Sequence, residues 1–303
     1  MSLISLFGAL EVGLIYGLVA LGVLISFRIL NFPDLTADGS FPLGGAICAT
    51  CIVSGMNPWL ATLLGTLGGA LAGFVTAWLN VSLRIMQLLA SILVMIALYS
   101  VNLRIMGAPN VPIIWDPTIF SPFIAEDYSN QFWVKPLIIF LFVVAIKLLL
   151  DRFFKSQTGL SLRATGANAR MSRAQGINTN VMTYLGMMLS NALIALGGAL
   201  YVQTQGGADI SIGIGTIVIG LAAVIIGETL ITSRKIFWIT LSVIVGAILY
   251  RLFIALALHS GPLNKIGIGA QDLNLITAVL VVIALVLPQI KTKFKRMRRR
   301  KPS

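Results

Sequence analysis

Apolar runs of roughly twenty residues, the length a helix needs to cross the hydrocarbon of a bilayer, alternate with short polar segments along almost all of this 303-residue chain. They predict helical spans near 3–25, 36–55, 58–80, 85–106, 134–151, 181–204, 212–232, 236–258 and 273–290, about nine in a single all-α, polytopic transmembrane domain covering 1–303. An odd number of spans places the two ends on opposite sides. The rule that cytoplasmic loops collect Lys and Arg then sets the direction. The tail 291–303, Arg28, Arg84, the polar segment 152–180 and Arg234-Lys235 fall in the cytoplasm. The N-terminus falls outside, as does the loop 107–133, which holds Asp116, Glu126 and Asp127 but no Lys or Arg. Trp115, Tyr128 and Trp133 on that loop suit an interfacial aromatic belt.

A shift of 175 positions lays the second half on the first. Leu18, Ala20, Leu21 and Gly22 fall on Leu193, Ala195, Leu196 and Gly197, Asp34 on Asp209, and Gly45 on Gly220. The halves, about 3–106 and 181–290, hold four spans each, and the extra span between them inverts the second. Inverted repeats are a transporter architecture, with the substrate route between the halves. The second span of each half is broken: 31–42 carries Pro33, Pro42 and two carboxylates, and 205–215 is rich in Gly. Irregular backbone at membrane depth is tolerated only inside protein or beside water. Asp34 and Asp209 read either as helix N-caps or as groups on the route.

Composition agrees with the spans and narrows the chemistry. With 57% hydrophobic and 11% charged residues and a mean hydropathy of +0.95, a soluble globular domain is excluded. The net charge of +12 sits largely in the central segment and the tail, where it faces cytoplasm and anionic lipid, so no nucleic-acid partner is expected. No cleavable signal peptide is expected either, since Glu11 interrupts the first apolar run and no basic stretch precedes it. Cys48 and Cys51 lack a second pair or a nearby His and read as small packing residues, so no metal is expected. Glu11 and Arg251 are charges inside spans, expensive unless paired or wet. They read as an ion pair, as a polar vestibule on the route, or, for Arg251, as a side chain reaching for the interface. Asn102 and Asn191 either bond between helices or line the route, and Gly65, Gly69 and Gly73 mark a close helix contact.

The central segment is the longest basic stretch between spans. Gly159, Leu162, Arg163, Ala164, Thr165, Gly166, Arg170, Arg173 and Gly176 mix small residues with Arg and no acid. Small residues allow a partner to come close and Arg gives directional hydrogen bonds, which predicts a short helix for docking a cytoplasmic protein. The line Gly159-Leu160-Ser161-Leu162-Arg163-Ala164-Thr165-Gly166 followed by Gly176-Ile177-Asn178 carries a resemblance. So do Phe27-Arg28-Ile29-Leu30-Asn31-Phe32 with Asp34 and Gly44-Gly45, and Gly220-Leu221-Ala222-Ala223-Val224-Ile225-Ile226-Gly227. On these the chain resembles the permease subunits of ABC importers in the group of branched-chain amino acid and ribose permeases. The resemblance implies a coupling segment seated on a cytoplasmic ATPase, present in two copies and holding ATP and Mg. It also implies a second permease copy as a homodimer, an extracytoplasmic solute-binding protein, and residence in a bacterial inner membrane. Within the group the chain is most similar to small permeases for tryptophan or related amino acids, which implies an aromatic or branched-chain cargo. The chain contains no Gly-x-x-x-x-Gly-Lys-Ser/Thr phosphate loop, so ATP hydrolysis belongs to a partner and no enzyme or cofactor site is expected here. The competing reading is an ion- or proton-coupled secondary transporter with Glu11 or Asp34 as the coupling carboxylate.

Overall fold

A computed structural model describes residues 3–123, 133–231, 233, 235–259 and 282. The fold is helical. Helix α1 (Leu3–Val23) continues as a π-helical segment, Leu24–Ile29. Then come α2 (Ala37–Val53), α3 (Pro58–Val81) and α4 (Gln87–Met106), followed by strand β1 (Asn110–Pro112) and α5 (Val134–Lys155). Two short helices, α6 (Gln157–Ala167) and α7 (Ala169–Ala174), lead into α8 (Thr179–Gln205), strand β2 (Gly207–Asp209), α9 (Thr216–Leu230) and α10 (Ile236–His259). Six stretches among the described residues are long and apolar enough to cross a membrane: Leu3–Ile29, Pro58–Val81, Gln87–Met106, Thr179–Gln205, Ile210–Leu230 and Ile236–Leu256. Two other expected spans correspond to α2, only 17 residues long, and α5, which carries Lys135, Lys147, Asp151 and Arg152. The expected span 273–290 and the basic tail lie outside the described residues.

The breaks in the second spans have local causes. At the end of α1 the Phe32 N–H still reaches back to the Ser26 carbonyl, but Asn31 turns left-handed at φ 54° and the helix cannot continue. The Asp34 carboxyl accepts the Thr36 N–H at 2.9 Å and launches α2. In the second half the Asp209 carboxyl accepts the Ser211 N–H at 2.7 Å, then Gly215 takes φ 82° and α9 begins. At about 1.5 Å per residue the 15 residues of α9 cover roughly 22 Å, short of a hydrocarbon core of about 30 Å. Strands β1 and β2 form an antiparallel pair with Asn110 opposite Asp209 and Pro112 opposite Gly207. This ribbon, absent from the hydropathy pattern, joins the loop after α4 to the link before α9.

The packing exchanges helices between halves: α3 runs along α8, and α10 along α1. The glycines of α3 let backbones touch. A Cβ on Gly65 would stand 2.7 Å from the Gly44 carbonyl oxygen, and one on Gly73 would overlap the backbone of Met187. A shift of 175 carries Gly73 to Ile248 and Met187 to Val12; in the structure Ile248 packs against Gly13, the next residue. The same shift carries the Gly45–Gly198 approach to Gly220–Val23, and that contact is present. Of these two contacts, one therefore recurs at the shifted positions and the other one residue away.

Candidate functional site

Where α1 breaks and α2 begins, a buried polar cluster joins three helices. Asn191 of α8 donates through Nδ2 to Asp34 Oδ2 at 2.8 Å and accepts from the Ser40 hydroxyl at 2.7 Å. The hydroxyls of Thr36 and Thr76 meet at 2.8 Å beside them. Asp34 is 1% exposed and Asn191 is fully buried. Two of the predicted route residues therefore meet, 157 positions apart in sequence, but as a closed clamp whose bonds are met internally rather than as groups facing an open channel. Asp209 also acts as a cap, half-buried at the start of its turn.

Asp38 was not among the residues singled out from the sequence, and the structure gives it a central place. From the first turn of α2 its carboxyl accepts the Ile217 N–H at 2.8 Å and the Gly215 N–H at 3.3 Å. Those are the free amides at the start of α9, where a helix dipole favours negative charge. The carboxylate joins the two broken spans, N-terminus to N-terminus. Pro42, lacking an N–H, frees the Asp38 carbonyl, and Gly213 lies so close that any side chain there would overlap this oxygen. The sequence held half of this signal, an acid and a Pro in a helix start, but not the distant Gly-rich partner.

Glu11 and Arg251 do not use each other. The positive charge that acts on Glu11 is that of Lys135, and the nearby Thr204 hydroxyl donates to the Tyr201 carbonyl at 2.8 Å. The Arg251 guanidinium lies 5.6 Å from the ring centroid of Tyr16, within cation–π range. Tyr16 in turn stacks on Phe41 at 5.8 Å and meets Tyr201 edge-on at 6.3 Å. The aromatic cluster, not the carboxylate, takes up the arginine. Asn102 donates to the Gly39 carbonyl at 3.2 Å. A polar knot missed by the sequence reading sits on α5: Lys147 and Asp151 pair at 2.6 Å, both buried, with the Thr240 hydroxyl donating to Asp151 at 2.7 Å. Its i, i+4 spacing within an apolar run was legible.

The central segment forms two helices rather than one. Ser156 caps α6 by accepting the Gly159 N–H, and Asn168 ends α6 and caps α7 by accepting the Met171 N–H at 3.0 Å. Gly176 then takes φ 83° and Asn178 caps α8. Helix α6 is keyed onto the π-helical end of α1. Leu162 is fully buried, and Gly186 of α8 lies against both Leu162 and Leu30. A Cβ on Gly166 would overlap the Ile29 carbonyl, and one on Gly159 the Phe153 carbonyl. Thr165 is buried, whereas Ala164, Arg170, Arg173 and Gly176 are exposed along with Leu160 and Met171. Arg163 points elsewhere: it lines a cavity of about 400 Å³ between α6, the end of α1 and the end of α9. There Arg28 Nε binds Glu228 Oε1 at 2.7 Å. The arginines of the segment therefore divide between an outward face and this inner cavity.

Comparison with known proteins decides between a transporter subunit and other membrane proteins of this shape. Residues 5–287 match the family described as branched-chain amino acid transport system / permease component. The chain belongs to this permease family. It is 39% identical over 284 residues to the tyrosine transport system permease protein of Clostridioides difficile (strain R20291), spanning 93% of this chain and 91% of that one. It is 24% identical over 292 residues to the ribose import permease protein of Escherichia coli (strain K12), spanning 95% of this chain and 86% of that one. Among solved structures, PsaBC from Streptococcus pneumoniae in complex with Fab shares the fold, with a TM-score of 0.51 at 15% identity over 92% of this chain and 89% of that one. This permease is the multi-pass membrane component of an ABC importer and not itself an enzyme; an ATP-binding subunit and a solute-binding protein complete such a system.

Proposed function

We propose that this permease forms the route by which an aromatic amino acid, tyrosine foremost, enters the cell. The observation that carries the coupling half of this reading is the α6–α7 segment. It is fixed to α1 and α8 through Gly166, Leu162 and Gly186, yet turns Ala164, Arg170, Met171 and Arg173 outward. A lever needs that combination of rigid attachment and a close-fitting outer face. In this reading the segment rests on the ATPase, and nucleotide-driven closure of two ATPase subunits draws two copies of it together. A homodimer of nine-span permeases, N-termini outside and basic tails inside, rocks its inverted halves to open the route to each side in turn. Cargo arrives from an extracytoplasmic binding protein. The cargo assignment is supported by the 39% identity to a tyrosine permease.

The experiment is uptake into proteoliposomes holding the permease, its ATPase and the loaded binding protein, with tyrosine, tryptophan, leucine and ribose compared. Tyrosine uptake that needs ATP, and that Arg170→Glu or Arg173→Glu abolishes, is the expected result. Uptake that persists without the ATPase and follows a proton gradient overturns the coupling reading. Uptake of ribose but of no amino acid overturns the cargo assignment.

A further inference from the structure

Beside the junction of the two broken spans lies a cavity of about 460 Å³, bounded by α4, the start of α2 and the turn before α9. Its size falls in the range of about 300–1,000 Å³ typical of small-ligand pockets. It lies level with the middle of α4, since a Cβ on Gly39 would stand 2.9 Å from Leu98 and 3.3 Å from the Met95 backbone. Most of the wall is apolar, including Pro42, Ile96 and Ile214.

Two polar features stand out against that wall. Asn102 is 1% exposed, and its Nδ2 is used on the Gly39 carbonyl. Its Oδ1 has no hydrogen-bond partner among the described residues. A buried acceptor left unmet is unfavourable, and a ligand donating to it recovers that loss. Asp38 also lines the cavity. Its two oxygens hold the amides of Gly215 and Ile217, but a carboxylate has about four acceptor sites, so it retains capacity for a donor. Nearer the open side are the hydroxyl-bearing Tyr99 and Ser100, both exposed.

We propose that this cavity is a subsite on the cargo route that receives the ammonium end of an amino acid with an apolar or aromatic side chain. The ammonium donates to Asn102 Oδ1 and Asp38, the carboxylate meets the hydroxyls of Tyr99 and Ser100, and the side chain lies against Pro42, Ile96 and Ile214. A small inorganic cation makes no use of the apolar wall, and a hydrocarbon chain leaves Asn102 unmet. The chemistry that fits both is a donor on an apolar body. The subsite rests on the amino acid reading given above.

The test uses the assembled importer in proteoliposomes with tyrosine-loaded binding protein. Asn102→Leu removes the acceptor. Ile96→Trp narrows the cavity from an exposed position without touching a buried polar group. Both variants are expected to assemble and to keep binding-protein-stimulated ATP hydrolysis. Maximal tyrosine uptake is expected to fall at least tenfold in each, with half-saturation for the loaded binding protein unchanged, because docking is unaffected. If both variants transport within twofold of the parent, the subsite is overturned while the cargo assignment stands. If the parent itself takes up no amino acid, the cargo assignment fails and the subsite falls with it.

Discussion

Replacing Asn191 by Leu tests whether the Asp34 cluster is a clamp or a piece of the route. The side chain keeps nearly its volume but loses its bonds to Asp34 at 2.8 Å and Ser40 at 2.7 Å. Interhelical hydrogen bonds in membrane proteins average about 0.6 kcal/mol and reach about 1.7, so two of them set the loss between about 1 and 3.5 kcal/mol. The upper part of that range is expected, because Asp34 is 1% exposed and its Oδ2 loses its donor at a position closed to solvent. Unfolding in mixed micelles of rising SDS content, followed by fluorescence of the five tryptophans, measures the change. A cycle with Asp34→Ala isolates the pair, since the turn that Asp34 makes with Thr36 cancels between its arms. A coupling of about 1–2 kcal/mol is expected. Independent sites add within about 0.3–0.5 kcal/mol, so a coupling in that range, together with lost uptake at full stability, would falsify the clamp and return Asp34 to the route.

Three further outcomes follow from the same geometry. Lys147→Met is expected to cost about 3–5 kcal/mol, because it leaves Asp151 buried and unpaired, whereas Lys147→Met with Asp151→Leu recovers most of the loss. The same micelle titration checks this, and a double variant as weak as the single one refutes it. Gly166→Ala forces α6 away from the Ile29 carbonyl; uptake should drop at least tenfold while basal ATP hydrolysis by the assembled complex continues, and uptake within twofold of the parent refutes the lever. Arg28→Ala is expected to alter stability by less than about 1 kcal/mol, because the Arg28 side chain is 65% exposed and its bond to Glu228 is screened by solvent. A larger loss in thermal unfolding shows that the pair is shielded from water.

Hydropathy alone located most of the helices. The expected spans 58–80, 85–106, 181–204 and 236–258 fall on Pro58–Val81, Gln87–Met106, Thr179–Gln205 and Ile236–His259 within two residues at each end. Burial in lipid selects length and apolarity, and both are readable one span at a time. Which faces meet is not, because it depends on rotations of helices far apart in sequence. Charge and depth leave Arg251 three readings, a pair with Glu11, a polar vestibule or a reach for the interface, and do not show that the adjoining face of α1 offers it the ring of Tyr16. Asp34 and Asn191 each stand out as polar groups in apolar surroundings, but their contact needs the fold. The composition of the basic segment predicts one helix, since nothing in it distinguishes Asn168 as a cap from Asn168 within a helix. The glycine spacing of α3 foretold close packing but not its partners, which are α2 and α8.

Asp38 and Asp34 also bear on how the chain is made. Both carboxylates enter the membrane with the first two spans, but the amides and the amide side chain that receive them belong to residues 191, 215 and 217. For the time it takes to synthesise about 150 more residues, at roughly 5–20 residues per second, these acids lack their final donors at a depth where ionised groups are costly. The first half cannot settle as a finished unit while it waits. A nascent chain released near residue 130 is expected to stay loosely packed and open to proteolysis, and only the arrival of α8 and α9 closes the core. In the order of synthesis, the clamp in the mature permease is a contact for which the first half must wait until the second half arrives.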